Sequence, residues 1–177
     1  MINSENKDLD GGIRNRVEES GLVQIDLGQL SEIKCVELDF TDWLWQGMIV
    51  KEKEFREKAK NLKTENFVGL GVGLTCTEDA IVPDWAWMLV SATLSTSEFV
   101  VVGGLENAQA ESLKRAIENL SPEEYSGKRV VIRGCSNSGG ANSLLQIQQK
   151  LQPVVKSLMF GEACSTVPIY KSVPRQG

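Results

Sequence analysis

The hydrophobic positions follow two periods. Near the amino end, LVQIDL and IKCVELDF alternate with a period of two, with Gly28 to Ser31 between them. That alternation predicts strands with one buried face, read as an antiparallel pair. Thr41 and Asp42 are N-cap residue types ahead of a helix beginning at Trp43. KEKEFREKAKNL, residues 51–62, predicts a helix whose charges form a solvated face rather than a binding patch. From residue 67 strands and helices alternate. NFVGLGVGLTC reads as a strand ending at Cys76, and Pro83 suits the start of a helix over PDWAWMLVSATL. EFVVVGG is a buried strand closed by a glycine turn. AQAESLKRAIENL is an amphipathic helix ended by Ser121 and Pro122. KRVVIRGC is the next strand. NSLLQIQQKLQPVVKSLMF reads as a long helical stretch that Pro153 kinks or divides.

This alternation predicts an α/β fold: a mainly parallel sheet sandwiched by helices, Rossmann-like or flavodoxin-like, with right-handed crossovers. The antiparallel N-terminal strand pair is expected at one side. Residues 1–12 read as a flexible N-terminus and residues 13–177 as a single α/β domain. At 177 residues the chain is long enough for one core.

Charge narrows the partners. A net charge of −5 argues against general nucleic-acid binding, which needs a basic surface. It argues equally against anionic membranes. No apolar run reaches the ~18 residues of a membrane span, and MINSENKDLDGG lacks a signal-peptide core. The cytoplasm is the expected compartment. The chain has no histidine, which removes Ser–His and Cys–His catalysis and the commonest neutral metal ligand. A metal would have to use thiolate, carboxylate or backbone oxygen. The cysteines are Cys35, Cys76, Cys135 and Cys164, and in a reducing compartment they are not expected to form structural disulfides. Cys35, within a strand, reads as a small core residue.

The glycine motifs point less far. GLGVG at 69–73 is not the G-x-G-x-x-G dinucleotide fingerprint. Glycines inside a strand instead permit close approach of a helix. SNSGG at 136–140 stands between a strand end and a helix start, where free N–H groups bind anions. Ser136, Asn137, Ser138 and Gly139 are the anion-binding candidates, a plain turn being the alternative. There is no Walker lysine, and no arginine follows Cys135 at the spacing of a phosphatase loop.

Cys76 and Cys135 both fall where a parallel strand ends, the edge at which open α/β sheets bind ligands. Cys164 follows the last helical stretch, in GEACSTVP. Tetrahedral thiolates on zinc sit about 3.8 Å apart and neighbouring strands ~4.8 Å apart. Cysteines on adjacent strand ends could therefore share a metal. That geometry asks for strand 67–75 beside strand 129–134, with strand 98–103 outside the first. The metal candidates are Cys76, Cys135 and Cys164, with Asp79 as the first-choice oxygen donor and Glu78 and Glu162 as others. Zinc suits thiolate-rich sites best, with iron or no metal as alternatives. The second reading is thiol redox or sulfur transfer, with Cys135 as nucleophile beside a helix start and Cys76 or Cys164 resolving it. The third is a non-catalytic interaction protein with separate structural cysteines. Glu78 and Asp79 then only solvate their loop, and Lys156 and Lys171 are surface charges. In WLW and WAW, residues two apart on a helix do not share a face. One tryptophan of each pair is then in the core while the other meets another element or subunit. A homodimer is the expected assembly.

The runs DWLWQGMIVKEKEFREK, CTEDAIVPDWAWMLV, RGCS and KLQPVVKSLMFGEACSTVPIYK resemble the bacterial domain-of-unknown-function family 2480 over about residues 13–171. The resemblance implies a compact cytoplasmic α/β protein and carries no established activity. It implies a setting near iron–sulfur cluster assembly, with proteins of that process as partners. The family motifs include Cys76, Cys135 and Cys164 but not Cys35. NSGGANSL departs from the more charged stretch of the family, which weighs against the anion reading.

Overall fold

The structure, a computed structural model, describes residues 22–77, 79–134, 140–162 and 165–173. The expected strands form, but in two sheets. In the first, β1 (Leu22–Asp26) pairs in parallel with β5 (Arg129–Arg133), β5 in parallel with β6 (Ser157–Glu162), and β6 antiparallel with β7 (Ser165–Lys171). The second holds β2 (Cys35–Asp39), β3 (Gly71–Thr75) and β4 (Phe99–Val102), all parallel in that order. The expected antiparallel N-terminal pair is therefore corrected. One helical turn, α1 (Leu27–Leu30), capped by the Asp26 side chain on the Gly28 N–H, separates β1 from β2 and sends each to its own sheet. The antiparallel pair lies at the carboxyl end. Strand 67–75 does not lie beside strand 129–134, although β4 does lie outside β3 as expected.

Helices α2 (Glu52–Lys60), α3 (Asp84–Thr93), α4 (Gly104–Asn119) and α5 (Gly140–Leu151) complete the alternation. Two sequence expectations fail locally. The helix from Trp43 is only a 3-10 turn, Thr41–Trp43. Leu44 is extended, and Gln46 and Gly47 have positive φ, turning the chain back so that Trp45 bridges Ile49. The long C-terminal helix ends at Leu151, and the segment beyond Pro153 turns into β6. There the period becomes two: Leu158 enters the core and Met159 takes the opposite face. Pro168 is tolerated in β7 because that strand is a sheet edge.

Each sheet has its own core. Ile25, Val130, Ile132 and Leu158 of the first pack with Leu113 and Ile117 of α4 and Ile147 and Leu151 of α5. Val72 and Leu74 of the second pack with Phe40, Phe55 of α2, and Ala86 and Val90 of α3. Helix α4 touches both sheets. Its amino half covers β2 and β3, while Leu113 and Ile117 belong to the first core. The close approach depends on Gly73, where a Cβ would overlap the Gly104 carbonyl. That is the role expected of a strand glycine. The aromatic side chains meet edge to face: Phe40–Trp87 at 4.8 Å, Phe40–Phe55 at 5.7 Å and Phe55–Trp85 at 6.0 Å. Trp43 joins them 5.4 Å from Phe55, whereas Trp45 is 43% exposed beneath Lys51. Among the described residues no helix is long and apolar enough to cross a membrane.

Candidate functional site

Two strand-end edges hold the candidate chemistry. At the carboxyl edge of the three-stranded sheet, Asp39 ends β2 and accepts from the Thr41 N–H at 2.8 Å and the Thr41 hydroxyl at 2.6 Å. Those bonds hold its carboxyl below the ordinary value. The Thr41 hydroxyl oxygen in turn accepts from the Thr77 N–H at 2.9 Å. Cys76 sits beside this knot, half-buried at the end of β3, against a cleft of about 340 Å³ shared with Ala80, Val82, Trp87 and Gly103. Burial, then the Asp39 charge, push its thiol above the ordinary value. Cys76 is therefore held as a neutral thiol, a poor nucleophile. The start of α4 is filled from within, since Glu37 accepts from the Leu105 N–H at 2.9 Å. Cys35 is half-buried rather than in the core proper, with its sulfur 3.7 Å from the Ile33 carbonyl oxygen. Burial raises its thiol, partly offset by Ser112.

At the carboxyl edge of the four-stranded sheet, Arg133 ends β5 between two carboxylates. Its Nε lies 3.0 Å from Glu162 Oε2 at the end of β6, and a terminal nitrogen lies 3.9 Å from Asp26 at the end of β1. One guanidinium thus spans the ends of three parallel strands. Arg133 is 38% exposed and Glu162 60%, so the pair adds at most about 1 kcal/mol of stability. Its greater effect is to fix the ends of β1, β5 and β6 relative to one another, with the guanidinium offsetting one of two carboxylate charges there. The sequence carried a signal for it: RGC and EAC each set a charge two residues before a cysteine.

Of the metal candidates, Cys76 and Asp79 lie at the three-stranded sheet's end, with Asp79 exposed. Cys135, Cys164 and Glu78 lie outside the described residues, as do the anion candidates Ser136, Asn137, Ser138 and Gly139. Glu162, also considered as a ligand, is engaged by Arg133. Among the described residues no three Cys, Asp or Glu side chains converge as a metal site.

Neither a curated protein nor a solved structure matches the chain. A family model does match, over residues 11–172, nearly the whole length. The chain belongs to the family described as protein of unknown function, DUF2480.

Proposed function

We propose that the chain is a thiol–disulfide redox protein, with Cys135 as attacking thiolate and Cys164 as its resolving partner. The observation that carries this reading is the Arg133–Glu162 pair across parallel β5 and β6. Each residue precedes one of the two cysteines by two positions. Neighbouring strands are ~4.8 Å apart, within the roughly 4.4–6.8 Å Cα separation of a disulfide. Arg133 holds the strand-end cluster at one net negative charge instead of two, which favours the ionised, nucleophilic form of a nearby thiol over a site without it.

The reaction is thiol–disulfide exchange with a disulfide substrate. The Cys135 thiolate attacks one substrate sulfur, and the substrate's S–S bond breaks to release one thiolate. The Cys164 thiolate then attacks the Cys135 sulfur and expels the second. The protein gains one disulfide, the substrate takes two electrons, and the protons of both cysteines pass to the released thiols. Cys76, held neutral and leaving from the other sheet, has no part in it.

Zinc held by Cys135 and Cys164, with Cys76 and Asp79 completing the set, is the competing reading. Two observations weigh against it. Cys76 and Asp79 follow a strand of the other sheet, and Arg133 already engages Asp26 and Glu162. A dication there would have to compete with the Arg133 guanidinium for the Asp26 and Glu162 carboxylates. Reduced full-length protein, purified without a histidine tag, separates the readings. Redox use predicts Cys135 alkylation that is faster at pH 7 than that of Cys76, and no stoichiometric zinc after metal loading. Stoichiometric zinc that blocks alkylation of all three cysteines would replace the redox reading with the metal one.

A further inference from the structure

We infer that β4 is a dimer edge: it pairs antiparallel with β4 of a second copy about a two-fold axis at Val100, joining two three-stranded sheets into one of six. Among the described residues β4 pairs with β3 alone. The Glu98 N–H donates to the Leu70 carbonyl at 2.9 Å, and Val100 sits opposite Val72. Backbone groups alternate in direction along a strand. Those of Glu98 and Val100 therefore face β3. The N–H and C=O of Phe99 and Val101 face outward, with no partner among the described residues. Open edges are normally guarded by charge, proline or a bulge. β1 carries Asp26, β2 Glu37 and Asp39, and β7 Pro168 and Lys171. β4 reads FVVV and has none of these.

The surroundings of β4 are equally unguarded. Residues 85–105 carry one charge, Glu98, in a chain that is 24% charged. Helix α3 packs Ala86 and Val90 with Val72 and Leu74. It leaves beside β4 a groove of about 450 Å³ lined by Leu74, Trp87, Met88, Ala92, Val100 and Val102. Of these, Met88 is 72% and Val102 53% exposed. A second copy fits because the edge is complementary to itself. In the antiparallel register Phe99 lies opposite Val101 of the copy, and Val101 opposite Phe99. The outward groups of the two strands then close four hydrogen bonds. Val100 meets its own counterpart on the axis, and Glu98 lies opposite Val102. The two Glu98 residues are offset by four positions, about 14 Å along the strands, so the one charge of each patch stays clear of its like. The axis runs perpendicular to the sheet, which sets both α3 helices on one face, each beside the other's groove. The patch is smaller than the roughly 20–30 residues a side of a standard interface, so the dimer is weak and dissociates in the micromolar range.

Sedimentation equilibrium of the full chain tests this, from about 1 to about 500 μM, the span over which a weak interface fills. The mass should rise from 19.5 kDa toward twice that value. Val102→Glu sets a carboxylate opposite Glu98 of the copy, twice per dimer, and should weaken association at least about tenfold. Val102→Lys sets an ammonium there instead and should associate at least about tenfold more tightly than Val102→Glu. A wild-type chain that stays at 19.5 kDa throughout would overturn the proposal. So would a dimer on which the two substitutions act alike, because only this register separates them. Hydrogen exchange of the wild-type chain gives a second reading that needs no variant. The outward Phe99 and Val101 amides should exchange more slowly as concentration rises, since pairing protects them. Exchange at those amides that is independent of concentration would also overturn the proposal.

Discussion

The Arg133 guanidinium lies 3.0 Å from the Glu162 carboxylate, tying β5 to β6 at the edge where both strands end. Arg133→Ala removes the tie and the cation together. Its stability cost should stay below about 1 kcal/mol, because both partners are substantially exposed. Cys135 alkylation at pH 7 should slow severalfold. A large drop in the unfolding midpoint with unchanged alkylation would make the pair structural only.

Gly73→Ala should destabilise the chain by about 3 kcal/mol, the upper range for overpacking. The added methyl would meet the Gly104 carbonyl, which is backbone and cannot swing aside. Urea unfolding reads the loss directly. A change under 1 kcal/mol would mean that α4 can lift from β3 without penalty.

The aromatic cluster predicts a contrast. Phe55→Ala should cost ~3–5 kcal/mol, as expected for a fully buried ring. Trp45→Ala should cost less than about 1 kcal/mol, since the ring is 43% exposed and its cation–π contact with Lys51 is solvated. Equal costs in thermal unfolding would contradict this assignment.

Cys76 predicts a pH effect with a definite sign. Its thiol titrates above the ordinary value in the folded chain, so folding favours the protonated form. That contribution is full below the unfolded thiol's pKa and is lost as pH rises through the folded value. Asp39→Asn removes one cause, so Cys76 should alkylate faster at any fixed pH between 7 and about 9. An unchanged rate would leave burial as the sole cause.

The strands were legible because their side chains alternate. LVQID, CVELD and RVVIR each put one set of residues into a core. Their pairing was not. The division into two sheets depends on the turn at Leu27–Leu30, too short to announce itself by periodicity. β6 was hidden behind a helical pattern because SLMF suits either period until Pro153 has ended the helix. At the candidate site, the separation of Cys76 from Arg133 is a matter of sheet order, which local pattern does not encode. The Arg133–Glu162 pair joins residues 29 apart in sequence, and only the RGC and EAC triplets hinted at it.

The redox account is tested most directly by disulfide mapping. The reduced full-length protein is titrated with oxidised glutathione, quenched with acid, digested and analysed without reduction. The account predicts one dominant cross-linked peptide pair joining Cys135 to Cys164, with Cys35 and Cys76 recovered as free thiols and two glutathiones released per chain. Cys135 and Cys164 recovered only as separate glutathione adducts, or a dominant bridge to Cys76, would contradict it.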